Sequence, residues 1–334
     1  MEYNKIIRNT LNLLDNNKEW RERYSNYAKE ILENVETNIV LGSKHRKTLG
    51  SLHVYSTVSR MKSASSRTRT YGLRYKGQEV AEILVRDADY YIRTNEKYNI
   101  ANEKYFDCPE SLRLSTCVIS DESAQKFIRF FEENPERKNW GKKNEEHEHE
   151  SALLSEFEKT SGATKSLKDI QPILLCGARF QMPTPISASR MRDGNPEYAS
   201  QHGGGIDVLC RRRNKNEKPG EQSHLTVIEV KDSYTPTESP EKAIMQAIAY
   251  ATFINRLFTA KDTNAEAWAN LFGYSKIPDV SKLKAVIAMP PDSEISACFD
   301  GDEISYGDIK MTLHYLPYEY SNGKVKFVSN TSLL

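Results

Sequence analysis

Two short apolar segments separated by a polar loop place the strongest constraint on this chain of 334 residues. The first follows three glycines and reads Ile206-Asp207-Val208-Leu209, and the second reads Val227-Ile228-Glu229-Val230-Lys231. Both have the length and β-branched composition of buried strands. Because side chains alternate between the two sides of a strand, we expect Glu229 and Lys231 on one face and their apolar neighbours on the other.

The three acidic and basic side chains of these segments predict a metal site. Asp207 lies where Gly203-Gly204-Gly205 leaves the backbone free to bend, and antiparallel pairing of the two strands would bring it beside Glu229. Carboxylate oxygens favour a hard cation such as Mg²⁺, for which Mn²⁺ can substitute. A bound metal neutralises phosphate charge and supplies hydroxide at neutral pH, and Lys231 beside it could position or deprotonate the attacking water.

These segments together resemble the core signature of the PD-(D/E)xK nuclease superfamily, over roughly residues 145–290. The resemblance implies an α/β fold with a restriction-endonuclease-like mixed β-sheet flanked by helices. It also implies that Asp207 and Glu229 are metal ligands and that Lys231 is catalytic. The chain departs from the family pattern at Ile206, where the signature carries a proline before the aspartate.

Two further parts of the family pattern have candidates in this sequence. The family places a glutamate on a helix before the core strands, and Glu150 fits best because apolar residues of a helical face follow it. The RecB-like branch has a Gln-x-x-x-Tyr helix, matched here by Gln246 and Tyr250, which lie one helical turn apart. The resemblance implies that Gln246 orients the catalytic site and that Tyr250 borders the nucleic-acid backbone. The alternatives for the helix glutamate are Glu146, Glu148 and Glu156.

The first 140 residues are predicted to form a separate α+β domain, and residues 141–334 the nuclease domain. The pattern of apolar residues predicts a helix or helix pair over Asn4–Glu36 and then a small antiparallel sheet, with a hairpin turn at Gly77-Gln78. A helix is predicted over Asp121–Glu133, and the polar stretch after it marks the boundary.

The charge of the chain is uneven although its net value is +1. Residues 41–78 contain nine Lys or Arg and no Asp or Glu, which favours contact with a polyanion. We therefore expect Arg67, Arg69 and Arg74 to bind nucleic acid, and Arg211 to contact its backbone as well. The alternative for each is a solvated loop or strand face.

Several classes of protein and site are disfavoured by the sequence. The five cysteines are scattered without a CxxC spacing, which argues against structural zinc and disulfides. No apolar run is long enough to span a membrane, and no signal peptide is recognisable, so a cytoplasmic location is expected. The segment His147-Glu148-His149 is interpreted as a solvated helix start rather than a metal site. No Gly-Lys-Ser/Thr follows the three glycines, so any ATPase partner would be a separate chain.

The sequence thus predicts a Mg²⁺-dependent deoxyribonuclease, with RNA as an open alternative substrate. Restriction or anti-phage defence is the expected setting, and a homodimer or higher homo-oligomer the expected assembly. A catalytically inactive scaffold that binds nucleic acid is the second hypothesis. A nuclease regulated by a sensory N-terminal domain is the third.

Overall fold

The structure is a computed structural model, and it describes residues 3–37, 40, 52–56, 58, 68–86, 89–94, 111–114, 129, 133, 145–160, 169–200, 203–213, 223–233, 239–291, 298–328 and 333. The chain folds into two compact units. The first unit comprises Met1–Ala28, His149–Ile173 and Gln181–Leu334, and the second comprises Lys29–Glu148 and Leu174–Phe180. Of the helices in these described ranges, none is long and apolar enough to cross a membrane.

The described residues form five helices and eighteen strands. The helices are α1 (Tyr3–Asn16), α2 (Glu19–Glu36), α3 (Glu145–Thr160), α4 (Pro240–Thr259) and α5 (Ala265–Leu271). The strands are β1 (Leu52–Ser56), β2 (Thr68–Tyr75), β3 (Gln78–Arg86), β4 (Asp89–Thr94), β5 (Ser111–Leu114), β6 (Ile170–Pro172), β7 (Leu174–Leu175), β8 (Ala178–Phe180), β9 (Met182–Thr184), β10 (Ile186–Arg192), β11 (Asn195–Tyr198), β12 (Gly204–Ile206), β13 (Val208–Arg213), β14 (Ser223–Val230), β15 (Lys282–Met289), β16 (Glu303–Tyr306), β17 (Ile309–Ser321) and β18 (Lys324–Phe327).

The second unit is built on a seven-stranded sheet with the order β5-β4-β3-β2-β1-β8-β7. Its neighbouring strands are antiparallel except for β1 and β8, which run parallel. The predicted hairpin is present between β2 and β3, but its turn lies at Lys76-Gly77, one residue earlier than expected. Both turn residues have positive φ, 46° and 76°, the backbone of a type I′ turn that suits the twist of the flanking strands.

The first unit is built on a mixed sheet with the order β16-β17-β15-β14-β13-β6, and β18 pairs with β17. Strands β14, β15 and β17 run parallel, whereas β13 and β14 are antiparallel, with Val208 opposite Ile228. Parallel strands are covered on both faces, which explains why β14 and the second half of β15 are buried. The α/β class predicted from the sequence is confirmed.

Helix α4 is the main helix packed on this sheet, against β14 and β15. It begins with Pro240, whose fixed φ suits the first turn of a helix, and most of its side chains are buried. Helix α1 packs on α4 through Ile6, Ile7 and Leu14, and Asp15 forms an ion pair with Arg256 of α4.

The N-terminal residues belong to the first unit, which differs from the single division at residue 140 that the sequence predicted. Trp20 and Tyr24 of α2 lie edge-to-face against Phe253 of α4, with ring centroids 5.7 and 5.1 Å apart. Edge-to-face aromatic pairs add to the free energy gained by burying the rings. The helical pattern of residues 4–36 was recognisable, but nothing in it identifies the distant helix that it contacts.

Strand β17 lies inside its sheet, between β15 and β16. Strands β6 and β7 are separated by one residue, Ile173, and belong to different sheets. The chain turns at Cys176 and Gly177, which both have positive φ, so β7 ends there. The predicted helix Asp121–Glu133 lies almost entirely outside the described residues.

Candidate metal centre

Asp207 occupies the break between β12 and β13, as its neighbouring glycines predicted. Its Oδ2 accepts a hydrogen bond of 2.9 Å from the backbone N–H of Val230 on the adjacent strand. This bond ties the break in one strand to the end of the next.

Glu229 and Lys231 project from the same face at the end of β14, as the strand alternation predicted. Their side chains are 5% and 7% exposed, and Lys231 Nζ donates a hydrogen bond of 3.1 Å to Glu229 Oε1. A carboxylate and an ammonium this deeply buried stay charged only when each is compensated nearby. In this ion pair each of the two charges compensates the other.

A third carboxylate completes the acidic group. One oxygen each from Glu146, Asp207 and Glu229 lie within 4.8 Å of one another, a spacing that could hold a metal ion. Glu146 lies in the first turn of α3, and Glu150 lies one turn later and is 2% exposed. The sequence favoured Glu150 for this position and kept Glu146 as an alternative. The donors are all carboxylate oxygens, which fits a hard divalent cation such as Mg²⁺ and disfavours a zinc site of His and Cys.

Helix α4 carries Tyr250 and Gln246, which are both buried, and the charges of Glu229, Asp207 and Lys231 act on the hydroxyl of Tyr250. The pKa of Tyr250 is raised above its usual value, first by burial and then by the negative charge of Glu229. The hydroxyl of Tyr250 therefore stays protonated, and it accepts a hydrogen bond of 3.4 Å from the N–H of Ala188. The carboxylate of Asp207 acts on the Tyr250 pKa in the same direction as Glu229.

The glycines before Asp207 are required by close packing. A Cβ on Gly204 would lie 2.6 Å from the hydroxyl oxygen of Tyr250, and one on Gly203 would lie 2.4 Å from the carbonyl carbon of Ile186. Neither contact is tolerable for a side chain. The sequence predicted that these glycines free the backbone; the structure adds that they let α4 and β10 approach the strand that carries Asp207.

The backbone of Lys231 is held by residues that the sequence did not identify. Its N–H donates to the carbonyl of Ala288 on β15 at 2.8 Å, and its carbonyl accepts from the hydroxyl of Tyr318 at 2.6 Å. Tyr318 in turn lies 2.7 Å from Nδ1 of His149. His149 was interpreted as part of a solvated helix start, but it is buried. No sequence signal connects these two side chains to Lys231.

The arginines of the second unit predicted to bind nucleic acid take part in packing. Arg69 is 0% exposed, and its Nη2 donates to Ser56 Oγ at 2.5 Å. Arg74 is half-buried, with its guanidinium carbon 4.1 Å from the ring centroid of Tyr55. In this conformation Arg69 cannot touch a ligand, so the expectation for it lacks support. Arg67 and the other basic residues between 41 and 67 lie outside the described residues.

Arg211 lies away from the acidic group. It is four residues beyond Asp207, or about 13 Å along an extended strand. Its guanidinium donates to the carbonyl of Gly273 at 2.8 Å and to Gln171 Oε1 at 3.3 Å. These bonds assign Arg211 a role in joining β13 to the turn after α5.

Comparison of the chain with protein-family models, curated proteins and solved structures gives no match. The functional argument therefore rests on the geometry of the acidic group and its buried lysine.

Proposed function

We propose that the protein is a metal-dependent nuclease that hydrolyses phosphodiester bonds, with DNA as the substrate. The observation that carries the proposal is the convergence of Asp207, Glu229 and Lys231 at one end of a mixed sheet. Carboxylates and a lysine in this arrangement suit phosphodiester hydrolysis, because the reaction needs a cation on the phosphate and a positioned water.

Asp207 and Glu229 would hold the metal, with Glu146 or Glu150 as the helix carboxylate. A bound Mg²⁺ would supply charge neutralisation and an acidified water. Lys231 has two tasks that its own chemistry supports: it orients the attacking water through its N–H donors, and its positive charge stabilises the negative charge developing on the phosphate. Its position 3.1 Å from Glu229 puts the ammonium beside the carboxylate that would bind the metal.

Tyr250 and Gln246 would border this site from α4. The protonated hydroxyl of Tyr250 is suited to hydrogen bonding with a phosphate oxygen, and it is held by the N–H of Ala188. The preference for DNA comes from the resemblance to PD-(D/E)xK nucleases, as do the proposals of a homodimer and of a role in restriction or anti-phage defence.

The test compares wild type with Lys231→Ala on supercoiled plasmid, linear duplex DNA and a structured RNA, each with Mg²⁺ or with EDTA. We expect wild type to cleave DNA only with Mg²⁺, and Lys231→Ala to cleave about 100-fold more slowly or less. Equal products from both proteins would rule out this site. Binding without cleavage by either protein would favour the scaffold hypothesis. Preferential cleavage of RNA would assign RNA, rather than DNA, as the substrate.

A further inference from the structure

The parallel ladder between β14 and β15 continues to Lys231, but it cannot supply a donor to the backbone carbonyl of that residue. In a parallel ladder, a residue whose N–H bonds to one position of the neighbouring strand accepts at its carbonyl from the residue two positions later. Lys231 N–H bonds to Ala288 O, so the matching donor would be the N–H of residue 290. Residue 290 is proline, which has no N–H.

Tyr318 supplies the donor that the ladder lacks. It lies on β17, which pairs with the far side of β15, and its hydroxyl reaches past the end of β15 to the Lys231 carbonyl at 2.6 Å. The side chain is 0% exposed. A buried carbonyl without a donor is costly, so this one hydroxyl has a large effect on where the chain lies at Lys231.

His149 sets the direction of that hydroxyl. A tyrosine hydroxyl has one proton, and a carbonyl can only accept, so the proton of Tyr318 is used on Lys231. The 2.7 Å contact with His149 must therefore be donated by the imidazole, which fixes a proton on Nδ1. The imidazole is held in place by stacking on Tyr320, with ring centroids 3.9 Å apart and planes inclined by 30°.

We propose that Tyr318, oriented by His149, replaces the hydrogen bond that Pro290 removes and thereby positions Lys231 for catalysis. Both are positioning residues, since they act through the backbone of Lys231, and the catalytic consequence rests on the proposed nuclease function. Lys231, at the end of β14, is thus bonded to β15 through its backbone N–H and to β17 through its backbone carbonyl. The ammonium of Lys231 is fixed next to Glu229 by this double attachment.

Loss of the Tyr318 hydroxyl is expected to affect the lysine more than the metal ligands. Glu229 lies inside β14, where the ladder to β15 is complete, and Asp207 is tied to the N–H of Val230. Lys231 follows the last ladder residue, so its backbone would move first. A displacement of about 1 Å in a catalytic group can cost roughly 100-fold in rate.

The experiment compares Tyr318→Phe with Tyr306→Phe, the same change at an exposed tyrosine of β16. Cleavage is measured at saturating DNA and Mg²⁺, and metal affinity is measured by Mn²⁺ titration without DNA. We expect Tyr318→Phe to lower kcat about 10- to 100-fold while Mn²⁺ affinity stays within about twofold, and Tyr306→Phe to leave both unchanged. Wild-type kcat in Tyr318→Phe, or a parallel loss of metal affinity, would overturn the proposal.

A rescue variant separates positioning from general destabilisation. Pro290→Ala restores an N–H at the ladder position, so the double variant Tyr318→Phe/Pro290→Ala should recover most of the lost kcat. The unfolding free energies of the four proteins should also be non-additive, because the two changes act on one carbonyl. Additive unfolding energies with no recovery of kcat would refute the inference. If wild type cleaves nothing, the nuclease proposal fails, and the unfolding cycle alone decides whether Tyr318 and Pro290 are coupled.

Discussion

The two faces of the central sheet of the first unit both bury charged side chains, but they do so in opposite ways. On the face that carries Glu229 and Lys231, called here the acidic face, carboxylates of the same sign gather, and one lysine offsets part of their charge. On the opposite face, unlike groups alternate around Lys284 and His314, which are in register with Thr226 and Ile228 of β14. Lys284 Nζ lies 3.2 Å from His314 Nε2, and Asp300 Oδ1 lies 3.9 Å from His314 Nδ1.

The difference shows which face is built to bind a cation. On the opposite face the pKa of His314 is lowered to about 3, by burial first and then by the charges of Lys284 and Arg212, so the imidazole stays neutral. Asp300 is anchored by the N–H of Tyr315 at 2.9 Å. This set of groups balances itself within the fold. The carboxylates on the acidic face repel one another, and a divalent cation would relieve that repulsion.

The largest effect is expected when one carboxylate is neutralised in each of the two groups. Asp207→Asn keeps an oxygen that can accept from Val230 N–H but removes the charge, so we expect cleavage to fall about 1000-fold, corresponding to several kcal/mol of lost transition-state stabilisation. Asp300→Asn makes the same change in the group around His314 and should leave the cleavage rate within about twofold. Steady-state cleavage of plasmid DNA measures both, and similar losses in the two variants would show that the two groups do not differ as proposed.

Neutralising a glutamate of helix α3 is expected to give the next largest effect. Glu146 contributes an oxygen to the group of three carboxylates that could hold a metal ion, whereas Glu150 is the more buried of the two glutamates. We expect Glu146→Gln to weaken Mn²⁺ binding about 10- to 100-fold, and Glu150→Gln to change it less while lowering the thermal midpoint. Titration calorimetry with Mn²⁺ measures the affinities. The opposite order would assign the ligand to Glu150, as the sequence favoured.

Metal-dependent stability gives a comparison that does not depend on cleavage. Glu229→Gln removes a carboxylate that would bind the metal and also breaks the ion pair with Lys231, so the two proteins are compared by the unfolding free energy that each gains on adding metal. Wild type at a metal concentration of 100 times Kd should gain about 2.7 kcal/mol, and Glu229→Gln should gain far less. Thermal unfolding followed by circular dichroism measures both. An unchanged wild-type midpoint on adding Mg²⁺ and Mn²⁺ would argue against a metal centre.

The sequence predicted much of the acidic face and little of the group around His314. Strand alternation determines that Glu229 and Lys231 share a face, and three glycines before Asp207 marked the break in the strand. The choice between Glu146 and Glu150 was open because residues four apart share a helical face. Only the three-dimensional structure distinguishes them, because it groups Glu146 with Asp207 and Glu229.

Contacts between distant segments account for what the sequence could not supply. Tyr318 meets Lys231 across 87 residues, and Trp20 meets Phe253 across a still longer separation. Periodicity identifies a buried face but not the partner that buries it. Arg69 illustrates the same limit, since a basic run favours solvent or nucleic acid while the fold encloses this one side chain.

The pH dependence of stability gives the smallest effect and tests the group around His314 alone. A histidine whose folded pKa is about 3 and whose unfolded pKa is near 6.5 takes up its proton more readily when unfolded. Its contribution is therefore fully present above pH 6.5 and is lost as pH falls toward 3, at up to about 1.4 kcal/mol per pH unit. His314→Asn should flatten the unfolding free energy between pH 6 and 4 by about that slope, relative to wild type. Parallel curves for the two proteins, from urea unfolding at each pH, would mean that His314 is protonated in the folded state and that the charges of this group are not balanced within the fold.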